Sequence, residues 1–406
     1  MRKESIKIEG FKNIDKVSIE LGEGITALVS PNGYGKSNAI EAIRFAMDFI
    51  HADPDSKSEM MSKLSCVPIN RDFVGKNFSV EFSFVHDYED SSSKGVYGFE
   101  FEWLYDPDQR GIVKEWLEIR EEEKSKRFNK MISRDGNAYY RSSPTGRCST
   151  PIEVAPNELV INRIAHDSKL FYHSIVSELN QITMHDNLTE QIDLPTFLYE
   201  LKQKNATRFQ IIGSALTTVF DDIEAIDAQQ ISVARQHGVK ASNKVPFVND
   251  NSMYSLYVKK KSLNQPIDYR CLSRGEKAVL MMMACQMLSE QRGDVLFCLD
   301  EPENSLHPEL IQSYIDLLEQ LQLSAPDCSI LITTQNPFIL QYLMTQKIYI
   351  AIPNERTAAD FRKISDKRVK QLWKDADSCN ESAGLYILDL LSSDEDGIKQ
   401  LKSYLE

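Results

Sequence analysis

An α/β fold is predicted here: a mixed sheet and an antiparallel meander flanked by helices, with an inserted helical lid. Three observations predict it. Ile25-Thr-Ala-Leu-Val29 is an apolar run that breaks at Ser-Pro-Asn-Gly-Tyr-Gly-Lys-Ser37 and passes directly into a helical pattern. Segments 78–85, 95–103, 113–119 and 128–140 alternate apolar with polar residues and are separated by turn signals such as Arg134-Asp-Gly-Asn137. Two further runs, the apolar 295–299 and Ser329-Ile-Leu-Ile-Thr-Thr334, read as buried strands.

Residues 5–14 and 16–21 also alternate and read as a half-buried hairpin, with Gly10-Phe-Lys-Asn13 as its connection. In the turn that follows residue 29, Gly33 and Gly35 let backbone N–H groups approach an anion without a Cβ between. The helix that begins at Lys36 points its positive end at the same place, Lys36 adds a charge, and the Ser37 hydroxyl suits Mg²⁺. These parts, with Asn32, Tyr34 and Asn38 beside them, make a phosphate cradle. Ser30 stands where the G-x-x-x-x-G-K-[ST] pattern has its first glycine. That position opens the turn and does not press on a phosphate, so serine is expected to be tolerated.

Residues 51–63 are polar and read as a loop, and 121–127 as a solvated turn. From 158 to about 226 the periodicity is helical, broken at Pro195, too short in its heptads for a coiled-coil arm. Residues 231–258 return to mixed strand and loop signals. The expected domains are 1–157 and 231–352 as two halves of one head, 158–230 as the inserted lid, and 353–406 as a helical tail.

Leu272-Ser-Arg-Gly-Glu276 precedes an apolar helix and has the form of a capping box, Ser273 with Glu276, with Gly275 leaving room for an anion. The run 295–299 delivers Asp300 and Glu301: the first would share a Mg²⁺ shell with Ser37, the second would polarise an attacking water. The run 329–334 stops at Gln335.

Formal net charge is −13 over 406 residues, which argues against a generic nucleic-acid coat. Seven cysteines without C-x-x-C or metal-ligand spacing read as reduced thiols. With no signal-like leader and no membrane-length apolar run, the expected location is the cytoplasm, away from membranes.

In motif order, residues 1–50 and 265–350 resemble the P-loop ABC-type ATPase heads of the SMC, RecF and OLD class. Within that class they are most similar to small defence-associated AAA/ABC ATPases such as those of Septu, retron and AbiL-like systems. The resemblance implies ATP and Mg²⁺ as cofactors, Glu301, Lys36 and Gln335 in catalysis, and Ser37 and Asp300 on the metal. It implies that Ser273, Gly275 and Glu276 touch the γ-phosphate of a second subunit. Because the chain has one P-loop and one such segment, a homodimer or larger assembly with ATP sandwiched between heads is implied. Asn304-Ser-Leu-His-Pro308 is similar to the loop that couples two sites, which makes His307 structural or interfacial. Lys12 and Asn13 stand where related heads contact nucleotide, although a surface turn explains them equally well. The usual switch histidine is Gln335 here, which implies slow turnover, and no glutamine for the usual Mg²⁺ loop is evident.

The function implied is an ATP-driven switch in an anti-phage complex, acting on a separately encoded nuclease or toxin effector. Nuclease members carry an acidic domain after the ATPase that residues beyond 352 are too few to form, and Asp375-Ala-Asp377 reads as a solvated turn. The alternatives are a RecF- or SMC-like repair ATPase binding DNA directly through Lys259-Lys-Lys261 and Arg120, Lys124, Lys126 and Arg127, or a scaffold clamped by ATP with little hydrolysis. A transporter motor fits less well, since nothing in the meander or lid suggests a membrane-docking surface.

Overall fold

The computed structural model describes the chain except residues 23, 32, 69, 89–90, 104–110, 122–126, 187–192, 233–251, 274, 278, 282, 285–286, 288–294, 306–307, 325–327, 344–346, 353–357 and 394. The chain divides into two compact units, Met1–Asp186 with Arg292–Glu303 and Ile315–Glu406, and Asn187–Gln291 with Asn304–Tyr314.

The first unit contains two sheets. Eight described strands form an antiparallel sheet, in the order Ile14–Glu20, Arg2–Phe11, Phe78–Tyr88, Ser91–Phe101, Ile112–Glu121, Asn129–Asp135, Asn137–Tyr140 and Thr150–Ile152. This is the expected hairpin and meander joined edge to edge. The second sheet runs Thr183–Asp186, Val295–Asp300, Ser329–Thr334, Ile25–Val29, Lys347–Ile352 and Asp360–Lys363, parallel except for the last pair. Ile25–Val29 and Ser329–Thr334 are buried at every position, as strands flanked on both sides and covered on both faces must be.

Helix Lys36–His51 lies against the antiparallel sheet through an aromatic cluster. Phe49 stacks on Phe99 and Phe101 at 5.0 Å between ring centroids, and Phe45 meets Phe78 edge-on at 5.2 Å. Trp103 closes the cluster and donates its indole N–H to Gly10 O at 2.9 Å. Such rings contribute through buried area and through offset or edge geometry together. The helix that begins at the phosphate-type turn is thereby fixed along its apolar face.

Several readings of the sequence change here: the tail expected to be helical contains the strand Asp360–Lys363, paired with Lys347–Ile352, and residues 231–291, expected in the head, fall in the second unit. Residues 54–61 form a helix, Pro54–Met61, with Asp53 accepting from the Asp55 and Ser56 amides as N-cap; a strong cap and Pro at N1 outweigh the polar composition. The span 158–230 is not helical throughout: Thr183–Asp186 is a strand paired in parallel with Val295–Asp300, and only from Asn187 does the chain enter the second unit. Asp375 and Asp377 lie within helix Val369–Ser378 rather than a turn, and Asp375 accepts from Tyr404 Oη.

A buried carboxylate ties the meander to the short helix Val160–Ile164. Glu115 is 1% exposed and accepts from the Val160 and Ile161 amides at 2.6 and 3.0 Å and from Tyr97 Oη at 3.3 Å. It caps from a distant strand a helix whose own N-cap residue, Leu159, has no side chain to do so. Burial pushes the Glu115 carboxyl from 4.5 up to about 7, against the two amides and Arg134. With the folded value raised above the unfolded one, this group's contribution is fully present below pH 4.5 and is lost as pH rises through 7. Thermal unfolding followed from pH 4.5 to 8 should show that loss, on the order of 3 kcal/mol, and Glu115→Gln should flatten it. An unchanged slope in the variant would assign the dependence elsewhere.

The second unit packs helices Leu194–Lys204 and Ala206–Val219 with a sheet of Ile223–Ser232, Ser252–Lys260 and Ile267–Asp268. Tyr199 and Tyr254 meet at 4.8 Å between ring centroids. Lys259 pairs with Glu224 at 2.7 Å, and Lys260 with Asp222 at 2.8 Å and Glu276 at 2.5 Å. Two lysines of the candidate DNA strip are thus committed to carboxylates. Arg120, in the first unit, lies over the Phe128 ring, and Lys124 and Lys126 are outside the described residues. No described helix is long and apolar enough to cross a membrane.

Candidate active site

The parallel strands Ile25–Val29, Val295–Asp300 and Ser329–Thr334 are neighbours, so the polar residues after each converge at one sheet edge. Ser30 is fully buried with an ordinary negative φ, its hydroxyl donating to Pro31 O at 3.0 Å. The position needs no left-handed backbone, which explains why serine serves there. Gly33 and Gly35 do need it, at φ 87° and 94°. Gly35 is constrained twice, because a Cβ would stand 2.8 Å from Ala359 Cβ and 3.0 Å from Asn13 Nδ2. Tyr34 is half-buried against the core, and Asn32 lies outside the described residues.

Lys36 is 5% exposed, and its ammonium donates to Ser30 O at 2.6 Å and Pro31 O at 3.2 Å. It stands 3.7 Å from Glu301 Oε1. Burial pulls its pKa down, while Glu301, Asp300 and Glu303 push it back up. Ser37 Oγ donates to Asp300 Oδ2 at 3.3 Å. Gln335 Nε2 donates to Glu301 Oε2 at 3.4 Å. Lys36, Ser37, Asp300, Glu301 and Gln335 are therefore brought into one cluster.

Lys12 and Asn13 are adjacent to the turn. Lys12 has φ 49° and pairs with Glu41, while Asn13 Oδ1 accepts from Asn38 Nδ2 at 2.8 Å. Asn13 also receives the Ala359 amide on its carbonyl at 2.8 Å, so it braces the turn from behind.

Two adjacent threonines were missed by sequence reasoning. Thr333 Oγ1 donates to Asp300 Oδ1 and accepts the Glu301 amide at 3.0 Å, and that amide also reaches Thr333 O at 3.1 Å. Glu301 is held at φ 46°, an uncommon backbone for a non-glycine residue that persists only where surroundings enforce it. Thr334 Oγ1 donates to Glu303 Oε1 and accepts the Asn336 amide at 2.9 Å. Glu303 is 5% exposed, and burial raises its pKa. The available signal was Thr-Thr at the end of a strand otherwise apolar.

The donor set suits magnesium. A hydroxyl and a carboxylate, both hard oxygens and already close together, are what an ion that keeps most of its own waters requires of a protein. Among the described residues no cluster of three or more His, Cys, Asp or Glu could hold a metal unaided.

In the second unit the capping box is formed. Ser273 N donates to Glu276 Oε2 at 2.7 Å, and Glu276 N to Ser273 Oγ at 3.2 Å. Gly275 opens the helical residues, Glu276 is buried and Ser273 is exposed. Since Ser273 Oγ accepts within the box, its proton remains available to an outside acceptor. His307 lies outside the described residues.

Residues 25–341 match the family described as "AAA domain, putative AbiEii toxin, Type IV TA system". The "Chromosome partition protein Smc" of Desulfitobacterium hafniense (strain Y51) is 35% identical over 100 residues, which are 24% of this chain and 8% of that protein. The protein of the same name from Lactiplantibacillus plantarum is 50% identical over 48 residues, 12% of this chain and 4% of that one. The chain spans less than a tenth of the length of either relative. A crystal structure of an SmcHead bound to the C-winged helix domain of ScpA superposes at TM-score 0.53 and 14% identity, covering 91% of this chain and 99% of that one. That likeness shows the fold: a P-loop ATPase head of the SMC type, as expected from the motif order.

Proposed function

We propose, from the premise that the chain belongs to this AAA-domain family, that it is an ATP-binding and ATP-hydrolysing switch subunit. The observation that carries the reading is the convergence of Lys36, Ser37, Asp300 and Glu301 at the ends of three adjacent strands. The turn with Gly33 and Gly35 and the start of helix Lys36–His51 cradle the phosphates, with Lys36 supplying the charge. Ser37 and Asp300 hold Mg²⁺, which when bound neutralises charge on the phosphate oxygens. Glu301 orients a water and takes its proton. Gln335 donates to Glu301 in this arrangement, and the same amide is a donor from which a phosphate oxygen could accept instead. As a neutral donor it gives less charge stabilisation than a histidine cation, so turnover is slow.

The exposed Ser273, with Gly275 and Glu276, supports an assembly in which the capped helix of one copy meets the nucleotide of another. Lys12 and Asn13 act by bracing the turn. The narrower reading, control of a separately encoded toxin or nuclease effector in anti-phage defence in the cytoplasm, rests on the resemblance in motif order, while the family description itself names a putative toxin of a type IV TA system. DNA is a weaker candidate partner, given the pairing of Lys259 and Lys260 with carboxylates.

The test is phosphate release together with molar mass by light scattering, with and without Mg-ATP, for the wild type and Ser273→Arg. The expected result is hydrolysis and an ATP-dependent doubling of mass in the wild type, with the doubling lost in the variant. No hydrolysis and a mass indifferent to nucleotide would replace this reading with the static scaffold.

A further inference from the structure

Glu303 has an environment that the reading above does not use. It follows the catalytic loop, is 5% exposed, and puts one carboxyl oxygen, Oε1, on Thr334 Oγ1. Its other oxygen, Oε2, is buried without a hydrogen-bond partner. Burying a carboxyl is costly unless it is hydrogen-bonded, and this one is held by Thr334 Oγ1 with the backbone of Glu303 and Gln335 beside it. The bond to Thr334 reaches the switch segment. Thr334 Oγ1 passes the connection on by accepting the Asn336 amide at 2.9 Å, which closes the backbone around Gln335. Gln335 Nε2 in turn lies 3.4 Å from Glu301 Oε2.

Successive threonines thus clasp two different carboxyls of one loop. Thr333 holds Asp300 and the Glu301 amide, and Thr334 holds Glu303. The strand that ends in Gln335 and the loop that carries Glu301 are pinned together on both sides of Glu301.

We propose that Glu303 is a positioning residue which, through Thr334, fixes Gln335 opposite Glu301. The inference rests on the ATPase reading and adds to it the device that sets the distance between switch residue and base. Loss of the latch leaves the hydrogen bonds of the phosphate turn, Lys36 and Ser37 in place and removes only one of the three acidic groups acting on Lys36, so ground-state nucleotide binding persists while the reacting arrangement loosens.

The test compares wild type, Glu303→Ala, Glu303→Gln, Thr334→Val and Thr334→Ser in steady-state ATP hydrolysis and in affinity for a fluorescent ATP analogue. Hydrogen exchange of the peptide containing 334–336 is followed in the same proteins. Glu303→Ala and Thr334→Val are expected to lower kcat on the order of 10- to 100-fold, with KM and analogue affinity within about threefold. Both should also speed exchange of the 334–336 amides. Glu303→Gln keeps the acceptor for Thr334, so it should recover most of the activity. Thr334→Ser keeps the hydroxyl and should do the same. In the double variant Glu303→Ala/Thr334→Val, kcat should fall no further than in Thr334→Val alone.

A wild-type kcat in Glu303→Ala, exchange unchanged at 334–336, or additive losses in the double variant would overturn the proposal. So would a loss of binding in step with a lowered Tm and no rescue by Gln or Ser, which is the pattern of a merely structural residue. A wild type without ATP turnover would instead overturn the ATPase reading, a result that none of the Glu303 variants can produce.

Discussion

Glu301→Gln is expected to lower ATP turnover by roughly 10²- to 10⁴-fold, the usual contribution of a positioned general base, while ATP affinity stays within about threefold. Glutamine reproduces the shape of the side chain, and its carbonyl can still face Lys36 Nζ, which lies 3.7 Å from Glu301 Oε1. The amide holding residue 301 to Thr333 is part of the backbone and is untouched. The capacity to take a proton is removed, together with one of the three acidic charges beside Lys36. Binding without hydrolysis should then trap the ATP-bound assembly, seen as a stable doubling of mass by light scattering. Phosphate release at the wild-type rate would remove Glu301 from the role of base. Loss of release together with loss of ATP binding would mean that the left-handed backbone at this position had collapsed.

Lys36→Ala should have the second largest effect, weakening ATP affinity on the order of 100-fold, close to 3 kcal/mol by the usual tenfold relation. Lys36 is a buried cation facing three acidic groups, Asp300, Glu301 and Glu303. Its removal leaves those carboxyls without their cation in the place that must accept a triphosphate. Like-charge repulsion then adds to the loss of charge-assisted hydrogen bonds. Isothermal titration of the variant with Mg-ATP measures it. Affinity within threefold of wild type would show that the backbone cradle suffices and that the ammonium serves hydrolysis alone.

Much of this arrangement was legible in the sequence because it is local. Gly33, Gly35, Lys36 and Ser37 are contiguous, and the capping box of Ser273 and Glu276 spans four residues. Apolar runs ending in polar residues predicted strands that present those residues at a sheet edge. What escaped depends on partners distant in the chain. Thr183–Asp186 is short and follows helical periodicity, and only its parallel neighbour Val295–Asp300 makes it a strand. Thr333 and Thr334 are ordinary strand formers by composition, and their hydroxyls acquire meaning from carboxyls some thirty residues earlier. Glu115 is one glutamate among alternating strand residues, and nothing near it indicates that it caps a helix from forty-five residues away. Lys259 and Lys260 read as a basic strip because their acidic partners lie far from them in sequence.

The position of Ile25–Val29 has a consequence for how the protein is made. Both neighbours of this strand, Ser329–Thr334 and Lys347–Ile352, come about three hundred residues later in the chain. On the ribosome the eight-stranded meander can close early, since its strands pair almost wholly in chain order. The turn bearing Lys36 must then wait beside an unpaired, mostly apolar strand until residues 329–352 have emerged. The turn can therefore take its final form only after residue 352 has been made. During that interval both edges of Ile25–Val29 are open to pairing with another chain.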